Sequence, residues 1–232
     1  MDNIKIMGEG TVGKGSFGKI SVMGEGELLE DFSAEKLNVY GEAEIKKFFD
    51  IKKVRVMGEL EAESSGKITE ELSVYGEAKF DKDVEINLLS IKGEVDIKES
   101  LKVKKTNILG GLNIDGNCDA DEFNCKGEAI IKGLLNCDNA NIELFGFSRI
   151  NEIGGENIKV KRGKKIIRGR RGNLKATLIE ADEIEIENTE CDTVRGNNII
   201  IGKGCCIKRV ECTGTLVINK ESEVLETIWK KD

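Results

Sequence analysis

Apolar and polar positions alternate in short bursts along this chain, and the bursts return at a nearly fixed interval. The pattern apolar-x-apolar-x-Gly reads Ile4-x-Ile6-x-Gly8, Ile20-x-Val22-x-Gly24, Leu37-x-Val39-x-Gly41, Val54-x-Val56-x-Gly58 and Leu72-x-Val74-x-Gly76. It continues through Leu89-x-Ile91-x-Gly93, Ile108 with Gly110, Phe123-x-Cys125-x-Gly127 and Ile142-x-Leu144-x-Gly146. Successive glycines stand 16, 17, 17, 18, 17, 17, 17 and 19 residues apart. Two apolar positions separated by one polar position put both apolar side chains on the same face of a strand. A fixed period of that length is the mark of a solenoid.

The period is too short for helix-pair repeats, which need about 33 to 47 residues. It fits one turn of a parallel β-helix, an all-β solenoid with about 17 residues per turn, three short strands and three corners. Each turn would rise about 4.8 Å, one strand spacing. Stacking the turns predicts an inward column of Val22, Val39, Val56, Val74 and Ile91. A second apolar pair, as in Ala43-x-Ile45 and Ala78-x-Phe80, predicts the next face. The glycine after each burst predicts a corner, where it supplies positive φ or room for close backbone approach.

Three segments follow. Residues 1–160 predict a regular β-helix. Residues 161–175 predict a basic loop or linker. Residues 176–232 predict further solenoid turns and a C-terminal cap, from Ile184-x-Ile186, Ile199-x-Ile201 and Leu216-x-Ile218. Val160 to Ile186 spans 26 residues, so removing about nine would restore one turn. One solenoid with an extruded loop and two solenoid segments joined by a linker are both consistent with that spacing.

Composition agrees with a narrow stacked core. Aromatic residues are 5% of the chain, charged residues 34%, and proline is absent. Proline cannot donate to a strand ladder, so its absence suits a sheet-dominated fold. No basic-plus-apolar leader and no apolar run of membrane-spanning length are present, which predicts a soluble cytoplasmic protein. Seven cysteines in that compartment predict free thiols rather than disulfides. The net charge is −7, yet Lys159, Lys161, Arg162, Lys164, Lys165, Arg168, Arg170, Arg171 and Lys175 cluster without one acidic residue among them.

The candidate catalytic motifs give way to the repeat. Gly8-x-Gly10-x-x-Gly13 matches a dinucleotide fingerprint, but that site needs a helix next, and here another strand pattern follows. The P-loop-like run Gly8 to Lys14 lacks the hydroxyl residue that would hold magnesium. Histidine is absent, which removes imidazole bases and histidine zinc ligands together. Cys205 and Cys206 are adjacent, so a strand would send them to opposite faces, and Cys125 stands where other turns have Val or Ile. Glu9, Glu25, Glu42 and Glu77 recur after corner glycines and predict a solvated acidic edge that discourages association. The expectation is no enzyme, no cofactor, no metal and no small-molecule substrate.

The repeated turn, free of histidine and poor in aromatics, resembles the bactofilins, bacterial polymer-forming cytoskeletal proteins. The run Ile184 to Cys212, with Val194-Arg195-Gly196, Ile201-Gly202-x-Gly204-Cys205 and Val210-Glu211, is similar to a Firmicutes-type branch of that family. The array is longer than the core of those proteins, and it starts at Ile4 where they usually carry a disordered tail. The resemblance implies a right-handed β-helix, nucleotide-free self-assembly and scaffolding of other proteins, often at a membrane.

Two functional expectations result. The first is a polymer assembling through its coil ends, with Ile4 and Ile6 at one end and Leu225, Ile228 and Trp229 near the other, and itself as partner. The second is a non-polymerising adaptor whose basic segment binds an anionic membrane surface or a partner protein, with Ile166, Ile167 and Leu174 as apolar anchors. Nucleic acid is disfavoured, because the segment has no aromatic residue for base stacking and the rest of the chain is acidic.

Overall fold

The chain winds as a parallel β-solenoid with about 17 residues per coil. The computed structural model describes residues 1–163 and 172–230 and divides into two compact units, Met1–Gly116 and Asn117–Asp232. No helix occurs among the described residues.

In the first unit, long and short strands alternate. The long ones are β1 (Asp2–Ile6), β3 (Gly15–Val22), β5 (Phe32–Val39), β7 (Phe49–Val56), β9 (Gly66–Val74), β11 (Val84–Ile91) and β13 (Leu101–Ile108). The short ones are β2 (Glu9–Val12), β4 (Glu25–Leu28), β6 (Glu42–Ile45), β8 (Glu59–Ala62), β10 (Glu77–Phe80), β12 (Glu94–Ile97) and β14 (Gly111–Ile114). Long strands pair in parallel with long ones and short with short, one coil apart, as in Leu37 against Val54 and Ala43 against Leu60. The predicted column of Val22, Val39, Val56, Val74 and Ile91 is fully buried, and so is the second pair at Ala43 and Ile45.

A third inward pair, not read from the sequence, opens the long strands from β5 on: Phe32 and Ala34, then Phe49 and Ile51. Between Ala34 and Leu37 both Glu35 and Lys36 face water. Two consecutive outward residues break the alternation and bend the strand, so one long strand supplies two faces of a three-sided coil. Burying each Val, Leu or Ile of these columns contributes roughly 1.5–3 kcal/mol. The 18-residue interval between Gly58 and Gly76 comes from one extra outward residue at the bend of β9, where the pairing register with β7 shifts.

The corner glycines are there for space, not for a left-handed backbone. Among the described residues only Asn188 and Gly204 have positive φ. The Glu25, Glu42 and Glu59 amides donate to the carbonyls of Gly8, Gly24 and Gly41, which stacks each corner directly on the previous one. A Cβ on Gly24, Gly41, Gly58, Gly76, Gly93 or Gly110 would lie 1.9–2.4 Å from the preceding glycine's carbonyl oxygen.

The second unit contains β15 (Cys118–Cys125), β16 (Glu128–Leu144), β17 (Phe147–Arg162), β18 (Asn173–Ile186), β19 (Thr189–Ile201), β20 (Cys206–Ile218) and β21 (Glu223–Trp229), again all parallel. Its register differs from the sequence reading at one motif. Ala140 and Ile142, not Ile142 and Leu144, stack beneath Phe123 and Cys125. Gly146 therefore stands outside the glycine ladder, and the 19-residue interval is a two-residue change of motif position. Further on, Val160, Ile186, Ile201 and Ile218 share one column, as their spacing suggested.

The predicted basic segment 161–175 is described only at its two ends. Lys161 and Arg162 end β17, while Asn173, Leu174 and Lys175 open β18. The two strands pair with each other from Phe147 against Asn173 to Val160 against Ile186. Both strands belong to the second unit. The first compact unit ends at Gly116.

Candidate functional site

Both ends named by the sequence are edges of sheets. β1 pairs only with β3, and β21 only with β20, among the described residues. A free parallel edge presents unpaired amide and carbonyl groups that can template another strand. The two edges differ in their side chains. Ile6 is 7% exposed and packs over Gly10, and Ile4 is half-buried, so the first coil largely covers its own core. At the other edge, Ile218 continues a buried column yet is 40% exposed, and Trp229 follows buried Cys212 in another column yet is 60% exposed. Leu225 is exposed and Ile228 half-buried, and both fall between the column positions, Ile228 opposite Glu211. Ile218, whose exposure only the register reveals, was missed by the sequence reading.

Two residues of the C-terminal coils, Arg195 and Glu211, clamp this edge. The Arg195 guanidinium reaches Glu180 on β18 at 2.9 Å and Glu211 on β20 at 2.8 Å. Glu211, 9% exposed, also takes Lys230 at 2.5 Å. Lys230 and then Arg195 hold the Glu211 carboxyl below its ordinary value of 4.5. A depressed carboxylate stabilises the fold above its ordinary value and loses that contribution as pH falls through the folded value. Glu211→Gln is expected to loosen β21 by about 2 kcal/mol, with acidification below 4.5 producing the same loosening in the parent. Amide exchange in β21 that does not change relative to β18 would contradict this.

The basic segment is largely neutralised where it is described. Lys159 and Lys161 pair with Glu185 at 3.0 and 3.3 Å, and Lys175 pairs with Glu190 at 2.8 Å. The Arg162 amide donates to Glu187. Leu174 is fully buried in the second unit and cannot serve as an anchor. Lys164, Lys165, Ile166, Ile167, Arg168, Arg170 and Arg171 lie outside the described residues.

The cysteines sit as expected. Cys205 is buried and Cys206 exposed, and all seven are free. Burial pushes the Cys125 thiol up to about 11 and those of Cys137 and Cys191 to about 12, so these stay protonated. Among the described residues no group of three or more His, Cys, Asp or Glu side chains could hold a metal. Gly8, Gly10 and Gly13 flank and enter β2, and Gly10 leaves room for Ile6.

The first unit carries a further surface that sequence reasoning passed over. The position before each corner glycine points outward, and it is occupied by Met7, Met23, Tyr40, Met57, Tyr75, Lys92 and Leu109. Its apolar members are 42–71% exposed. Arg55 and Lys92 lie 5.0 and 4.8 Å from the centre of the Tyr75 ring. Immediately past the glycines, Glu9, Glu25, Glu42, Glu59, Glu77 and Glu94 stack in register. Like charges opposite one another in a sheet destabilise it. Elsewhere in this unit successive coils are joined by opposite charges, as in Lys46–Glu63 at 2.7 Å and Lys82–Glu99 at 2.7 Å. The signal for this surface was present in the second variable position of the repeated motif.

No family model matches the chain, and no solved structure matches it. The chain is similar to the uncharacterized protein YhbF of Bacillus subtilis, 38% identical over 95 residues that make up 40% of this chain and 40% of that protein. It is also similar to the uncharacterized protein YhbE of the same organism, 40% identical over 99 residues, 40% of this chain and 42% of that protein. The matched stretch thus spans about two fifths of the length of these curated relatives. No helix among the described residues is long and apolar enough to cross a membrane.

Proposed function

We propose that the protein is a structural scaffold that assembles through the edges of its β-solenoid, without nucleotide. One observation carries the reading: Ile218, in a column that is otherwise buried, and Trp229, stacked on buried Cys212, are exposed beside the free edge of β21. An uncovered core rung next to unpaired backbone groups supplies both the apolar area and the directional hydrogen bonds of a strand-to-strand contact. The resemblance to the bactofilins points the same way. The alternative, an adaptor acting through the basic segment, rests on residues 164–171, because the flanking lysines are already paired with glutamates.

Ile218→Glu with Trp229→Glu should convert large species into small ones in sedimentation velocity and remove filaments or sheets from negatively stained grids. Both sites are exposed, so the coils themselves should stay folded by circular dichroism. Unchanged sedimentation of the double variant would refute the edge contact.

A further inference from the structure

We infer that the Met/Tyr ridge of the first unit is a lateral self-association surface, along which a second copy of this chain lies side by side and in the same direction. Exposed apolar side chains scattered singly need no explanation, whereas a contiguous line of them marks an interaction site. Here Met7, Met23, Tyr40, Met57, Tyr75 and Leu109 recur at the same coil position, interrupted only by Lys92. Successive members stand about 4.8 Å apart, one strand spacing, so two such lines can interdigitate in register.

The charges flanking the ridge select the occupant. On one side runs the glutamate ladder. On the other, outward positions of the long strands carry Lys5, Lys19, Lys36, Lys53 and Arg55, with Glu71 following Lys53 in its column and Lys53 paired with Glu70 at 3.2 Å. A two-fold axis along the ridge sets the glutamates of each copy against the lysines of the other. A two-fold axis across the ridge, which would run the copies in opposite directions, sets glutamate against glutamate. Within one copy Lys79 pairs with Glu77 at 2.8 Å; the repulsion among the other glutamates of the ladder is relieved in the same-direction pair. An anionic lipid surface would meet the same ladder and be repelled by it. This surface lies along the side of the coils, so it does not depend on the edge contacts proposed above.

The test uses cysteine crosslinking in the full chain carrying Cys206→Ser, since Cys206 is the exposed cysteine, together with Ile218→Glu and Trp229→Glu to remove edge assembly. Under mild oxidation, Tyr40→Cys should give a covalent dimer whose yield rises with protein concentration. A mixture of Met7→Cys and Leu109→Cys chains should give no mixed dimer. Tyr40 is exposed, and circular dichroism verifies that the variant is folded. No dimer from folded Tyr40→Cys chains, a mixed Met7→Cys/Leu109→Cys dimer, or flotation with vesicles of phosphatidylcholine and phosphatidylserine that Met23→Ser/Tyr40→Ser/Met57→Ser abolishes would each overturn the proposal. Because the edge variants are already present, failure of edge assembly and failure of the lateral pair are read separately.

Discussion

Gly58→Ala is expected to destabilise the first unit by about 4 kcal/mol or more, while Gly8→Ala leaves it unchanged or slightly more stable. Both glycines hold the same place in the repeat, and neither has a left-handed φ. On backbone entropy alone, alanine at such a site would add roughly 0.4–1 kcal/mol by restricting the unfolded chain. Space reverses the sign at Gly58. Its added methyl would lie 2.0 Å from the Gly41 carbonyl oxygen and 2.6 Å from that of Tyr40. These atoms belong to the corner below and cannot swing away as a side chain could. The Glu59 amide donates to that same Gly41 carbonyl at 2.9 Å, so relieving the clash also breaks a bond of the ladder. Gly8 has no atom within 4 Å of its would-be Cβ. Thermal unfolding followed by circular dichroism separates the two. A Gly58→Ala protein that melts with the parent, or a Gly8→Ala protein that falls with Gly58→Ala, would show that corner stacking does not set the requirement for glycine.

The repeat made much of this fold readable. Inward columns such as Val22 to Ile91 must keep a strict period because each side chain packs on its counterpart one coil away, and that demand is written directly as spacing. The third face escaped notice because its positions trade sizes between coils: Phe32, Phe49, Gly66 and Val84 occupy one column, which no single-letter pattern describes. The register error at Ile142 has a similar cause. Ala140 is apolar but small, and the larger Leu144 drew the motif two residues along.

The candidate surfaces were less legible than the coils. A basic cluster stands out in sequence, but the glutamates that neutralise Lys159, Lys161 and Lys175 lie 15 to 26 residues away and become neighbours only through the coil. The same coil joins Arg195 to Glu211, which as a sequence motif carried no stated role. The Met/Tyr ridge was hidden by the motif that revealed the fold. Reading apolar-x-apolar-x-Gly treats the second x as filler, and that x is where the exposed methionines and tyrosines stand. In a repeat protein the inward letters specify the fold, and the outward letters that repeat alongside them without being required by it point to contacts.

The size exchange in the third face gives the second large effect. Phe49 and Ala62 belong to one coil, and Gly66 and Phe80 to the next. Phe49 pairs with Gly66, and the Phe49 and Phe80 ring centroids are 6.4 Å apart. A Cβ on Gly66 would lie 2.4 Å from the Phe49 ring, so Gly66 is the hollow into which Phe49 packs and Phe80 restores the volume from another face. Gly66→Val should therefore cost about 3 kcal/mol through overpacking. Phe49→Ala should cost about 4 kcal/mol through the cavity it leaves. The two together should cost less than their sum by about 2 kcal/mol, since the valine enters the space the ring vacates. Additive losses in denaturant or thermal melts would mean that the two positions do not share that volume. Coupling of the expected sign would show that neighbouring coils are matched in volume across the axis as well as in register along it.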